Sequence, residues 1–214
     1  GWNIASDWIG GGVPGSSDNA YIDNGGTAVI HSGYNAQAAS LQLGNLNGHT
    51  GHVKLTSGSL STSYEYIGNS GAGSFTQSAG TNAVSGLLVI GRNGGSSGTY
   101  SLSDTGTVSA TDEYVGRYGT GSFAQTSGTN TVSNRLYLGT YSGASGTYDL
   151  SGSSDVSANI FYFGNAGTGE FNQSGTSTAT TNELWLGYYS GGNASYNLSE
   201  SGSLSATDET IGRD

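Results

Sequence analysis

The chain has 214 residues, with 39 Gly, one Pro, no Cys and no Met, and 15 acidic against 5 basic side chains give a formal net charge of −10. The absence of Cys excludes a disulfide framework and a thiolate metal site, and five scattered cations on an acidic chain exclude nucleic acid and anionic lipid as partners. No apolar run approaches the roughly 18 residues of a membrane helix, so no membrane span is expected.

Residues 1–40 belong to no repeat. They carry Trp2-Asn3, Asp7-Trp8, Val13-Pro14-Gly15 and the run Asp18 to Asp23. Residues 18–40 read as an imperfect first coil. Trp2, Trp8 and Pro14 read as a cap over its open end, because an uncovered terminal coil presents unpaired edge groups. A start at Gly1 rather than Met is expected of a processed, exported chain or of an excised piece.

From residue 41 two motifs alternate. Glu65-Tyr66-Ile67-Gly68 and Glu113-Tyr114-Val115-Gly116 open one of them, with a looser copy at Phe161 and a partial one at Glu209-Thr210-Ile211-Gly212. Leu88-Val89-Ile90-Gly91, Leu136-Tyr137-Leu138-Gly139 and Leu184-Trp185-Leu186-Gly187 open the other. The glycines at 44, 68, 91, 116, 139, 164, 187 and 212 are spaced 23–25 residues apart. The unit is therefore about 24 residues, in alternating pairs of 48. That length is too short for helical-pair repeats or propeller blades, and the leucine-rich pattern is absent. It suits one coil of short strands and turns. The expected fold is all-β, a three-sided parallel β-solenoid (β-helix), with 1–40 as cap and first coil and 41–214 as seven full coils plus an unfinished eighth.

Stacked coils should carry columns of one chemical character. One apolar column reads Leu43, Ile67, Ile90, Val115, Leu138, Phe163, Leu186, Ile211. An aromatic column reads Phe75, Tyr100, Phe123, Tyr148, Phe171, Tyr196. A third, at a constant spacing of 24, reads Leu60, Val84, Val108, Val132, Val156, Thr180, Leu204, beside hydroxyls at 61, 85, 109, 133, 157, 181 and 205. Inward apolar beside outward polar is the alternation of strands. Corners such as Ser70 to Gly73 and Gly119 to Gly121 should need positive φ or tight turning, which Gly supplies, with Asn69, Asn82, Asn130 and Asn165 suited to the same corners.

The tryptophan-bearing opening combined with the GTG-F-Q and GTY-LS repeats resembles Gly/Ser-rich β-helix proteins exported by bacteria. These include autotransporter-passenger-like domains and surface-sorted repeat proteins. The resemblance spans nearly the whole chain. It implies an extracellular or cell-surface location and a structural or adhesive role.

Catalytic signals are weak. Gly94 to Gly98 fits GxSxG but lies in a corner, without the strand–turn–helix of a nucleophile elbow. His49 and His52 are three apart and His31 is remote, so no zinc face forms on strands. A calcium ion near Asp7, Asp18 or Asp23 has no repeat motif behind it. Glu65, Glu113 and Glu209 share a column, the first two at every second rung, roughly 9–10 Å apart. That touches the inverting-glycosidase window, yet no inserted loop builds a groove around it. The expectation is no enzyme, no catalytic residue, no metal and no cofactor.

The column two residues before the marker glycines holds Tyr66, Tyr114, Tyr137, Tyr162 and Trp185. It should face outward as a lateral contact between solenoids or a platform for polysaccharide. Trp2, Trp8 and Pro14 of one copy meeting Glu209, Thr210 and Ile211 of another would form a head-to-tail joint, which generates filaments. The expected role is a structural subunit of a bacterial extracellular fibre or surface matrix, with itself as partner. The alternative is an adhesin or glycan-binding module.

Overall fold

The computed structural model describes residues 1–9 and 11–212. Within them a 3-10 turn (Ala5–Asp7) precedes strands that form two all-parallel sheets. The first sheet stacks β1 (Asn19–Ile22), β3 (Asn35–Leu43), β5 (Ser59–Ile67), β7 (Thr81–Ile90), β9 (Thr107–Val115), β11 (Thr129–Leu138), β13 (Asp155–Phe163), β15 (Thr178–Leu186) and β17 (Ser203–Ile211). The second stacks β2 (Gly26–Ile30), β4 (Thr50–Leu55), β6 (Ala72–Gln77), β8 (Ser97–Leu102), β10 (Thr120–Gln125), β12 (Ser145–Leu150), β14 (Thr168–Gln173) and β16 (Asn193–Leu198). Odd and even strands alternate along the chain, so each coil gives one strand to each sheet. The chain is a parallel β-solenoid of about 24 residues per coil.

The third face comes from a crease in the first sheet. In β5 the buried side chains are Leu60, Thr62, Glu65 and Ile67. Thr62 and Glu65 are three apart, so the inward alternation slips by one residue between them. Register irregularities fall there and at the matching places in β7 and β11. Each first-sheet strand thus turns a corner without leaving its sheet.

The expected apolar column from Leu43 to Ile211 is in register throughout. The aromatic column is a continuous internal stack. Its ring centroids are 4.7 Å apart at Phe75–Tyr100 and Tyr100–Phe123, 4.6 Å at Phe123–Tyr148, 5.2 Å at Tyr148–Phe171 and 4.9 Å at Phe171–Tyr196. Each such pair stabilises by about 0.5–1.5 kcal/mol beyond its buried area.

The third column needs correction. The true register runs Leu60, Asn82, Val108, Asn130, Val156, Ala179, Leu204. Val84 and Val132 sit one inward position further on, aligned with Thr62, Ala110, Ala158 and Thr181. The constant spacing of 24 merged two columns, because second-sheet turns alternate in length. Thr181, expected outside, is buried. Asn82 and Asn130 are buried within β7 and β11, not at corners.

Glycine serves the expected corners by close approach, not by positive φ. The positive φ lies at the marker positions, as at Gly116 (φ 72). A Cβ on Gly116 would lie 2.0 Å from the Ser145 carbonyl oxygen of the next coil. Gly121 is needed for close approach instead, since its Cβ would come within 2.3 Å of the Gly116 nitrogen.

At the first coil Trp2 is wholly buried and its backbone N–H donates to Val29 O at 3.1 Å. Trp8 packs edge-on to it at 5.1 Å and donates its indole N–H to Trp2 O at 2.8 Å. The tryptophans close that end of the core. Residue 40 falls inside β3, which belongs to the second coil.

Candidate functional site

Two constellations stand out, one inside the rod and one on its surface. The inner one repeats with the 48-residue period. Asn82 Nδ2 donates to Glu65 Oε2 at 3.0 Å and to the Tyr100 hydroxyl at 3.3 Å. Tyr100 donates to Gln77 Oε1 at 2.5 Å, and Gln77 Nε2 donates to the carbonyls of Gly80 and Thr107, both at 2.9 Å. Glu113, Asn130, Tyr148 and Gln125 repeat this chain of bonds. Gln77 and Gln125 thereby add a second donor to the Gly80 and Gly128 carbonyls, which also accept the Thr107 and Asp155 backbone N–H groups of the next coil.

Glu65 and Glu113 are fully buried. Burial pushes both carboxyls up to about 7, against the lowering effect of their Asn82 and Asn130 hydrogen bonds. Burial also lifts the Tyr100 and Tyr148 phenols well above their ordinary value. The column of Glu65, Leu88, Glu113, Leu136, Phe161, Leu184 and Glu209 is in register as expected. Its two central carboxyls are sealed from solvent, so they cannot touch a substrate.

The outer constellation lies on the second half of the first sheet. Tyr114, Tyr137 and Tyr162 stack at 4.7 and 5.0 Å, and Trp185 follows at 6.2 Å. Tyr118 and Tyr141 stack beside them at 4.2 Å. Tyr66 is separated from this run by Val89, which is fully buried. These rings are half-buried, and they lie on one another, so their faces are largely covered and their edges point outward. The stripe is an aromatic ladder more than an open platform. Burial raises Tyr114, and it raises Tyr137 to about 12.

Three of the five cations gather here, which corrects the expectation that they scatter. The Arg92 guanidinium lies 3.9 Å from the centre of the Tyr66 ring, and that of Arg117 lies 5.2 Å from Tyr114. Arg135 pairs in register with Asp112 on the neighbouring strand. Among the described residues none of the three has a carboxylate oxygen within 4.0 Å. Sequence reasoning missed them because Arg92 and Arg117 follow marker glycines while Arg135 sits at the crease.

The residues expected to form a head-to-tail joint lie at opposite ends of the sheet order. Trp2 is in the core, Trp8 packs against it and Pro14 is half-buried. Glu209, Thr210 and Ile211 pair with Leu184, Trp185 and Leu186.

The other expected chemistry stays dispersed. His52 Nδ1 meets Ser74 Oγ at 2.6 Å, His49 lies 3.8 Å from Asp23, and the His31 ring lies tilted against Tyr34 at 4.1 Å. No group of three metal-ligating side chains occurs among the described residues. Ser96 Oγ donates to Asn93 O in a turn. A shallow groove along the crease is lined by Ser61, Ser63, Ser85 and Ser109 and holds no titratable side chain. No helix is long and apolar enough to cross a membrane. No family model, curated protein or solved structure matches the chain.

Proposed function

We propose that this chain is a non-enzymatic structural rod, part of a bacterial extracellular fibre or surface matrix, and that copies of it associate with one another. The observation that carries this is the internal ladder. Stacked aromatics run coil after coil, hydrogen-bonded Gln and Tyr recur at every second coil, and the repeats carry no inserted loop. Such ladders favour stiffness and resistance to proteolysis. The two carboxyls best suited to acid–base work by their raised values are buried in this ladder. End-to-end growth would have to reach past Trp2, which already fills the first coil, whereas association along the aromatic face asks for no rearrangement. Prolonged protease digestion tests the reading. The rod should survive intact at protease concentrations that degrade ordinary globular domains, and rapid cleavage within 41–212 would contradict it.

An adhesin or polysaccharide-binding module is the second reading. It is favoured by the cluster where the ladder breaks. Tyr188 meets Trp185 and Tyr162 edge-to-face at 5.1 and 5.3 Å, and the neighbouring Tyr189 is 54 % exposed. Glycan binding abolished by Trp185→Ala, with self-association retained, would favour this reading over the structural one.

A further inference from the structure

The outer face of the second half-sheet has an order along the rod that matches itself in reverse. One outward column reads Tyr64, Leu87, Asp112, Arg135, Ile160, Glu183 from β5 to β15. The column beside it reads Tyr66, Val89, Tyr114, Tyr137, Tyr162, Trp185 over the same strands. Both columns are centred on the step between β9 and β11.

We propose that this face pairs with the same face of a second copy, the two rods running antiparallel about a two-fold axis between β9 and β11. The proposal deepens the self-association put forward above. A two-fold axis lying in the contact plane and along the strands reverses the rod direction and keeps each column opposite itself. Asp112 then meets Arg135 of the second copy, and Arg135 meets the second copy's Asp112. Leu87 meets Ile160, Tyr64 meets Glu183, Tyr114 meets Tyr137, and Tyr66 meets Trp185. Opposite charges meet at Asp112–Arg135, apolar side chains at Leu87–Ile160 and aromatic rings at Tyr114–Tyr137 and Tyr66–Trp185, while the buried Val89 opposite Tyr162 makes no contact of its own. An isologous interface has this self-complementary character.

The composition of the face agrees. Tyr, Trp and Arg are the residues enriched where protein surfaces meet. On a chain with a net charge of −10, Arg135 already feels the attraction of Asp112 on the adjacent strand, and an antiparallel copy sets a second Asp112 against it from across the contact. Asp112 is held in position by Asn134, whose Nδ2 donates to it at 2.9 Å. Glu183 Oε2 accepts the Trp185 indole N–H at 2.9 Å. Both carboxylates are therefore set before any second copy arrives, which lowers the ordering cost of association. A parallel pairing in register would place Asp112 against Asp112 and Arg135 against Arg135, which is repulsive.

Sedimentation of the purified chain tests the pairing, with Asp112→Arg, Arg135→Asp and the double reversal as variants. Asp112 and Arg135 are also neighbours within one chain, so a thermal melt of each variant is taken alongside and the dimer is compared only among variants that melt as cooperatively as the wild type. The wild-type chain should dimerise. Each single reversal places like charges together at two symmetric contacts and should weaken the dimer by about 100-fold or more. The double reversal should restore it. Because the chain has no Cys, a short bismaleimide linker should join Leu87→Cys to Ile160→Cys in a mixture and join neither variant to itself. A monomeric wild type, a double reversal no better than the singles, or linking of like to like would overturn the pairing. Dimers that form no larger assembly would sink the fibre reading and leave the pairing intact. Fibres that persist in both single reversals would do the opposite.

Discussion

Asn130 and Glu113 hold each other inside the rod, Nδ2 donating to Oε2 at 2.9 Å with both side chains fully buried. The same pair recurs 48 residues earlier as Asn82 and Glu65. In the third copy both members change together, to Ala179 and Phe161, which lie at the matching rungs. An acid and its amide leave as a unit because either alone would be an unsatisfied polar group in an apolar column.

That relationship sets the pH dependence of stability. Glu65 and Glu113 are raised from 4.5 to about 7 by burial. Their folded carboxyls hold protons that the unfolded chain has released, so the linked stability is fully present below about pH 4.5. It falls as pH rises and is lost once pH passes about 7. Each residue accounts for a few kcal/mol at most, on the order of 3 by the shift alone. Thermal melts should show a higher midpoint near pH 4.5 than near pH 8, and Glu65→Gln with Glu113→Gln should flatten the difference.

The third copy supplies a repacking experiment. Glu113→Phe alone leaves Asn130 Nδ2 with only the Tyr148 hydroxyl as acceptor, and Asn130→Ala alone leaves Glu113 without its donor. Each should cost about 1–3 kcal/mol. The double variant imports the Phe161 and Ala179 pairing and should cost less than the sum of the singles. A denaturant double-mutant cycle measures that coupling, and strict additivity would count against it.

Tyr148 alternates with Phe123 and Phe171 in the stack because its hydroxyl has two partners, Asn130 Nδ2 at 3.1 Å and Gln125 Oε1 at 2.6 Å. Tyr148→Phe keeps the ring and should destabilise by about 1–3 kcal/mol through the orphaned amides. Phe123→Tyr, which adds a hydroxyl to the same column, should also destabilise. Urea unfolding of the two variants would show both losses.

Gly116 combines positive φ with a Cβ path blocked by Ser145 O. Gly116→Ala should therefore prevent proper stacking of two coils, seen as loss of the cooperative melt. Gly94→Ala, with nothing within 4 Å of its Cβ and no positive φ, should melt like the wild type.

The solenoid was legible because its period is carried by residues that have no alternative. The marker glycines need their backbone geometry, and the aromatic and Leu43-to-Ile211 columns keep one character at every rung. The column containing Asn82 and Asn130 was not legible. Polar residues there alternate with Val108 and Val156, and a constant spacing of 24 landed on nearby valines that looked more core-like. The signal was present in another form, since Glu65 with Asn82 and Glu113 with Asn130 keep a separation of 17 residues. The rings of the aromatic stripe are half-buried. Its stacking and the arrival of Arg92, Arg117 and Arg135 beside it depend on rotamers and the crease, which spacing alone does not convey.

Electron microscopy of the purified chain at high concentration tests the central claim, that this is a self-associating structural rod. Nine first-sheet strands at about 4.8 Å per rung give a described rod of roughly 40 Å. The account predicts these rods joined side by side into pairs and extended assemblies. A field of separate single rods, unchanged as concentration rises, would contradict it.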